Sequence, residues 1–254
     1  MTTRIILPLL LAAFPLRVIA QGSGIATDLP APVSVYCNWA SYDELSDTVL
    51  LSEALALREL DEILRLRQQG VRFDYYLMDA FWFAPDGAYR AWKKPAWPQG
   101  PDRWLEACKA NNLIPGLWFA TNRHIRKGLL TAAPEWANSL ATNNESYCLF
   151  EGDFLAHLME SFQMYADKGV RLFKLDFANF GAATEEGRKK YTREQIIEKN
   201  QQAFKQAIRD FRAKNPDVII IAYNGFGGYI NNTITPFPAT ADLRWRWLET
   251  CETL

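Results

Sequence analysis

Five apolar segments typical of β-strands alternate along this sequence with segments of helical periodicity, at intervals of roughly forty residues. The predicted strands are 33–39, 74–83, 113–120, 170–180 and 218–223, and the predicted helices are 47–69, 102–111, 152–168 and 195–214. This succession is the pattern of a parallel α/β fold, which is either a barrel or an open sheet. The fifth strand is apolar throughout, as expected for a strand that is buried on both faces.

We interpret this succession as a TIM-type (β/α)8 barrel of which only about the first five β/α units are present. After the fifth predicted strand about thirty residues remain, whereas three further units would need on the order of a hundred. We therefore expect residues 33–254 to be the N-terminal part of an incomplete barrel. A compact open sheet of five strands is the alternative.

Two opposite charges lie near the end of the fourth predicted strand. Read with a period of two, this strand places Lys174 and Asp176 on one face. The other face carries Phe173, Leu175 and Phe177. Because charges are costly to bury unless they are paired or used, the strand holds either a structural ion pair or part of a functional site.

Other predicted strands carry polar or aromatic side chains in the same place. Asp79 and Trp118 lie near the ends of the second and third strands, and Asn224 follows the fifth. In a barrel of this type the carboxyl ends of the strands meet at one rim, and chemistry takes place there. We expect these side chains and Asp176 to line one site.

The first twenty residues read as a signal peptide. Arg4 precedes a short apolar run, and the small residue Ala20 ends a plausible cleavage site before Gln21. Residues 21–32, rich in glycine and proline, form a leader segment without periodicity. The expected location is therefore exported, either periplasmic or extracellular, with no membrane association after cleavage. An uncleaved membrane anchor is the alternative.

Composition narrows the class of protein further. The net charge of −1 provides no basic field for a nucleic-acid partner. The chain has two histidines, and its cysteine spacings match no metal motif, so we expect neither a metal nor another cofactor. The four cysteines, whose pairing the sequence does not choose, are Cys37, Cys108, Cys148 and Cys251. Nine tryptophans serve either core packing or platforms on which sugar rings stack.

Several short motifs, in the right order, resemble the clan D glycoside hydrolases, the alpha-galactosidase (melibiase) group. Phe-Lys-Leu-Asp-Phe at 173–177 resembles the nucleophile strand of that family. Tyr-Leu-Met-Asp-Ala-Phe-Trp-Phe at 76–83 is similar to its pattern ending Asp-Asp-Gly-Trp-Phe, and Ile-Pro-Gly-Leu-Trp at 114–118 to its Phe-Gly-Leu-Trp strand. Weaker similarities at 38–43 and 133–136 extend the resemblance over residues 33–228.

The resemblance implies a role for each matching residue. Asp176 would be the nucleophile, and Lys174 and Asp79 would bind sugar hydroxyls. The further substrate-binding residues that it implies are Trp39, Trp82, Trp118 and Asn224. The pattern departs at Ala80 and Phe81, where the family has a second aspartate and a glycine, so galactose is not implied as the substrate. The family's acid/base aspartate follows a sixth strand, which is expected beyond residue 254.

The function predicted from these observations is an exported, retaining glycoside hydrolase that acts on terminal sugars of oligo- or polysaccharides. Its partner is a carbohydrate substrate, and Lys174 is expected to keep Asp176 ionised. The alternative is a non-catalytic carbohydrate-binding protein on the same scaffold, which would bind sugar without turnover. A third reading, an unrelated open-sheet protein with a phosphate loop at 224–228, lacks the lysine that such loops use.

Overall fold

The computed structural model describes residues 32–44, 49–80, 82–84, 89–123 and 134–223. The predicted signal peptide and nearly all of the leader segment lie outside these ranges. So do Phe81, Asn224 and Cys251. Within the described residues, no helix is long and apolar enough to cross a membrane.

The strands and helices alternate as the sequence predicts. The strands are β1 Val35–Cys37, β2 Tyr75–Met78, β3 Ile114–Ala120, β4 Leu172–Asp176 and β5 Ile219–Ala222. The helices are α1 Glu53–Gln68, α2 Asp102–Ala110, α3 Phe154–Asp167, α4 Glu185–Lys190 and α5 Arg193–Lys214. A π-helical turn at Ala40–Glu44 and a 3₁₀ segment at Pro134–Ser139 lie in the connections after β1 and β3.

All five strands are parallel, and their spatial order in the sheet is the order of the chain. Because parallel crossovers are right-handed, connections that always step in one direction place every helix on the same face of the sheet. An open sheet covered on both faces needs a reversal of strand order, which is absent among these strands. The sheet is a curled half-barrel, and the barrel prediction is confirmed over the alternative of an open sheet.

The strand register determines which side chains face the inside of the half-barrel. Leu77 in β2 pairs with Gly116 in β3, which pairs with Leu172 in β4. Tyr75, Leu77 and Leu172 form a small buried cluster there, separate from the main core on the helix side. A Cβ at Gly116 would lie 3.0 Å from Cδ2 of Leu172, so glycine lets these two strands approach closely.

Local capping explains where two helices begin. Ser52 accepts a hydrogen bond from the Leu55 amide, so α1 starts at Glu53 and not at the predicted residue 47. Thr192 and Gln195 form a capping box, which starts α5 two residues before its predicted position. The helix α2 begins at Asp102, as predicted, without a side-chain cap, and the Asp102 side chain receives a hydrogen bond from Lys168.

Candidate active site at the carboxyl ends of the strands

A buried ion pair joins the end of β2 to β4. Lys174 Nζ donates to Asp79 Oδ2 at 2.7 Å, and the two side chains are 14% and 1% exposed. Burial opposes the charge on Lys174, but attraction to Asp79 and the hydrogen bond outweigh it, so the pKa of the lysine is raised. The structure therefore brings together two of the side chains that the sequence assigned to sugar binding.

Backbone and side-chain donors hold Asp79 in place. Its Oδ1 accepts from the Ala80 amide at 2.9 Å, and its own amide donates to Asn38 Oδ1 at 2.8 Å. The Cys37 thiol, at the end of β1, donates to Asp79 Oδ2 at 3.1 Å. Burial of the thiol and the nearby Asp79 charge raise the pKa of Cys37 to about 12, although the residue as a whole is exposed. Cys37 is thus a neutral third group in the site at neutral pH.

Asp176, the last residue of β4, has both carboxylate oxygens in contact with N–H donors. The Phe177 amide donates to Oδ1 at 2.7 Å, and Trp118 Nε1 donates to Oδ2 at 3.3 Å. The residue is 7% exposed. Trp118 lies opposite Lys174 in the register of β3 and β4, so its indole is on the same face as both charged residues.

Burial raises the pKa of Asp176 above its usual value. The Phe177 amide, the charge of Lys174 and the Trp118 indole act in the opposite direction without cancelling this effect. Lys174 thus favours the ionised form of Asp176, in the expected direction, but burial of the carboxyl group has the larger effect on its pKa. The lysine is committed to Asp79, and the removal of the carboxyl group from water is the larger influence.

Phe177 adopts a left-handed backbone conformation, with φ of +43°. This conformation is strained for an aromatic residue and is often found at functional positions. It ends the alternation of β4 at the residue whose amide donates to Asp176 Oδ1. Its carbonyl accepts from the Arg123 amide at 3.0 Å, and its ring packs edge-on against Trp118 at 5.6 Å. The sequence predicted Phe177 as an ordinary strand residue and missed this role.

The three predicted tryptophans have different surroundings. Trp118 contacts Asp176, as described above. Trp39, half-buried just after β1, packs edge-on against Tyr42. Trp82 is fully buried among the rings of Trp92, Phe119 and Tyr165, and its indole donates to the Trp118 carbonyl at 3.0 Å. Its position on the helix side of the sheet does not support the predicted contact with sugar.

The end of β5 contributes an aromatic ring that the sequence analysis did not assign. Lys174 Nζ lies 4.9 Å from the centre of the Tyr223 ring, which suits a cation–π interaction. Tyr223 is 48% exposed. The predicted site residue Asn224 is its neighbour and lies outside the described residues. An exposed ring beside a buried ammonium group gives the site one open, flat wall.

Buried asparagines tie together the loops that surround this end of the sheet. Asn122 Nδ2 donates to the carbonyls of Tyr147 at 2.7 Å and Asn179 at 2.9 Å. Asn200 in α5 accepts from the Leu149 amide at 2.6 Å and donates to the Phe180 carbonyl. These amides satisfy loop backbone groups that would otherwise be buried without partners. The loops after β3 and β4 are thereby fixed to each other and to α5.

The site has the chemistry expected of a pocket for a polyhydroxylated ligand. Asp79 and Lys174 offer an acceptor and a donor for hydroxyl groups, and Trp118 and Tyr223 offer apolar and aromatic surface. Asp176 is a separate carboxyl group. It lies two residues after Lys174 in β4, on the same face of the strand. In the part of the chain that the structure describes, no group of three His, Cys, Asp or Glu side chains could hold a metal ion.

The fold and the site define a (β/α)-barrel protein with a lysine and two carboxylates at the carboxyl ends of its strands. Solved structures with this fold include variants of the GH36 alpha-galactosidase AgaA from Geobacillus stearothermophilus. The complexes with 1-deoxygalactonojirimycin, raffinose and stachyose match with TM-scores of 0.54, 0.53 and 0.52 and identities of 12%, 12% and 13%.

These matches cover 75% of the present chain but only 27% of each of the other chains. No protein-family model and no curated protein matches the sequence. The likeness at this level of identity therefore establishes the shared half-barrel scaffold. The chemistry of the site has to be argued from its own residues.

Proposed function

We propose that this chain carries the nucleophile side of a retaining glycoside hydrolase of the alpha-galactosidase type, and that Asp176 is the nucleophile. The observation that carries the proposal is the position of Asp176 beside the Lys174–Asp79 pair, with each carboxylate oxygen held by an N–H donor. A nucleophilic carboxylate needs this kind of fixed orientation toward the anomeric carbon. The bound sugars of the AgaA complexes support a carbohydrate as the ligand.

In this mechanism Asp176 attacks the anomeric carbon and forms a covalent glycosyl intermediate, which water then hydrolyses. A second carboxyl group, roughly 5 Å from the first in retaining enzymes, protonates the leaving oxygen and later activates the water. Asp79 does not suit this second role, because Lys174, Cys37 and Ala80 engage its oxygens. We assign no acid/base among the described residues.

Asp79 and Lys174 are proposed to bind hydroxyl groups of the terminal sugar. The ammonium group of Lys174 has three N–H donors, so it can donate to a sugar hydroxyl while it keeps its hydrogen bond to the buried Asp79 carboxylate. Ala80 provides no second carboxylate next to Asp79, and its carbonyl accepts from Tyr42 at 2.7 Å. The pair therefore recognises fewer hydroxyl groups than two adjacent carboxylates would.

Assays on the full chain with α- and β-configured aryl glycosides test this proposal. Because no acid/base is assigned among the described residues, release of the phenol is expected from at least one aryl glycoside whose leaving group needs no protonation, and Asp176→Asn should lower the rate of that release by about three orders of magnitude or more. Asp217→Asn is the matched control, because Asp217 is an exposed aspartate paired with Arg171 at the opposite end of the sheet. Equal activity of Asp176→Asn and the control variant would refute the assignment.

The buried Lys174–Asp79 pair and the ring of Tyr223 beside it favour a second candidate function, a carbohydrate-binding protein without turnover. Asp79, Lys174 and the aromatic surface are sufficient for binding, and none of them has to react with the sugar. Calorimetric titration with raffinose separates the two functions. Binding that is lost in Lys174→Met, with no hydrolysis of any glycoside, would support the binding function.

Export remains part of the proposal, on the strength of residues 1–20 alone. N-terminal sequencing of the protein recovered from the periplasm or medium of its host should begin at Gln21. Recovery of the intact N-terminus in a membrane fraction would instead indicate an uncleaved anchor.

A further inference from the structure

A buried carboxylate, Glu59, lies on α1 behind the strands that carry the site. The residue is 7% exposed. Its Oε2 accepts from Asn38 Nδ2 at 3.2 Å and from the Tyr76 hydroxyl, and its Oε1 contacts the Ser41 hydroxyl. No lysine or arginine of the described residues forms an ion pair with it. A buried carboxylate without a cation is costly, so these three polar partners are what makes it tolerable.

Glu59 fixes which way the Asn38 side chain points. One end of the Asn38 amide faces a carboxylate, which accepts, and the other faces the Asp79 amide, which donates at 2.8 Å. Only one orientation satisfies both, with the NH2 group toward Glu59 and the oxygen toward Asp79. Met78 Sδ, at 3.3 Å from the same NH2 group, is also an acceptor and favours the same orientation.

The Asn38 oxygen in turn holds the backbone from which the Asp79 side chain extends. Asp79 Oδ2 receives both Lys174 Nζ and the Cys37 thiol, at 2.7 and 3.1 Å. A rotation of the Asn38 amide would leave the buried Asp79 N–H without its acceptor. The protein would then lose stability equal to the full desolvation penalty of this N–H group. Two hydrogen bonds of the Asn38 side chain thus connect α1 to the site. Its NH2 group donates to Glu59, and its oxygen accepts from the Asp79 amide.

We propose that Glu59 is a positioning residue for the candidate site, which acts through Asn38 to hold Asp79 against Lys174 and Cys37. Its effect on sugar affinity rests on the proposed function, whereas its effect on the geometry of Asp79 does not. A core polar residue without this role would stabilise α1 and leave the surroundings of Cys37 unchanged.

The Cys37 thiol provides a readout of Asp79 that requires no substrate. Asp79 and Lys174 are the charged groups that act on the thiol, the first raising and the second lowering its pKa. If Asp79 moves away, the pKa of Cys37 falls and more thiolate is available for alkylation. A fall of one pKa unit increases the thiolate about tenfold, and the lower nucleophilicity of the thiolate reduces the gain in rate to about three- to tenfold.

The test measures the rate of iodoacetamide alkylation of Cys37 in the full chain at pH 8.5, by mass spectrometry of the peptide that contains it. Glu59→Leu and Asn38→Ala should each raise this rate about three- to tenfold, and the double variant should show no larger effect than either one. Glu59→Gln should remain within about twofold of the original rate, because its amide keeps an oxygen for Asn38 and Tyr76. Glu62→Leu is the control, since Glu62 is on the same helix but exposed and paired with Arg65.

Circular dichroism establishes that each variant is folded before its rate is compared. Asn38→Ala breaks the same path without opening a cavity beside α1, so it carries the test if Glu59→Leu does not fold. An unchanged Cys37 rate in folded Asn38→Ala or folded Glu59→Leu would overturn the proposal, and so would additive effects in the double variant. Faster alkylation in the variants, together with no reaction of any aryl glycoside with the original chain, would support the positioning role and count against the proposed function.

Discussion

The two ends of the sheet use the same kinds of charged residue in opposite ways. At the amino ends of the strands, ion pairs lie at the surface: Arg72–Asp74, Lys168–Asp102 and Arg171–Asp217. At the carboxyl ends, Lys174 and Asp79 form a buried pair, and Asp176 is buried beside them. Surface pairs contribute little to stability, whereas buried charges are retained only when they are well compensated or used.

The pKa values of two aspartates express the same contrast. The Ser34 amide and Arg72 lower the pKa of Asp74 at the amino end. Burial raises the pKa of Asp176 at the carboxyl end. The folded state therefore favours the charge of Asp74 and disfavours the charge of Asp176. A buried carboxyl group with a raised pKa is often part of a functional site, and so is a strained backbone such as that of Phe177.

The largest expected difference is between two lysine-to-methionine variants. Lys174→Met leaves the 1% exposed Asp79 without its cation, and we expect the free energy of unfolding to fall by about 3 kcal/mol. Lys168→Met removes a lysine paired with Asp102 at the surface, and we expect a loss of less than about 1 kcal/mol. Urea unfolding of both variants measures the difference. Equal losses would mean that the two ends of the sheet are not energetically distinct.

A smaller effect is expected from the backbone of Phe177. Phe177→Ala and Phe177→Gly both remove the ring, but only glycine adopts a φ of +43° without strain. The glycine variant should therefore be more stable than the alanine variant by about 1 kcal/mol, the reverse of the usual order in strands. Thermal and urea unfolding of the pair provide the comparison. A more stable alanine variant would show that the conformation of Phe177 is not strained.

The smallest and most specific effect is the pH dependence of stability. Asp176 has a raised pKa in the folded state, so its contribution is fully present below the unfolded pKa and is lost as pH rises through the folded pKa. Asp74 has a lowered pKa, so its contribution is present above the unfolded pKa and is lost as pH falls through the folded pKa.

Relative to the unmodified chain, Asp176→Asn should thus become progressively more stable, and Asp74→Asn progressively less stable, as pH rises from acid to neutral. Unfolding free energies at a series of pH values measure both trends. Slopes of the same sign would contradict the contrast between the two ends.

The fold and part of the site follow from patterns that can be read in the sequence. The alternation in β4 correctly separates Lys174 and Asp176 from Phe173 and Leu175, because side-chain direction in a strand depends only on position. The proximity of Asp79 and Lys174 follows because parallel strands bring their carboxyl ends together.

The remaining features depend on contacts between distant residues. Phe177 leaves the strand at a residue with no preference for the left-handed region, and Trp82 follows the end of β2, where strand periodicity no longer predicts direction. Two other residues that the sequence analysis did not assign do have a signal in the sequence. Glu59 and Asn200 are polar residues at buried positions of amphipathic helices, and both make buried hydrogen-bond networks.

The most direct test of the central claim is to trap the nucleophile. A retaining glycosidase forms a covalent bond to its sugar, so 5-fluoro glycosyl fluorides of α and β configuration should label the attacking carboxylate, with fluoride leaving without the help of an acid. We predict a single adduct on the peptide that contains Asp176 and none in Asp176→Asn. An adduct on another carboxylate, or no adduct from any of the fluorides, would contradict the assignment of Asp176 as the nucleophile.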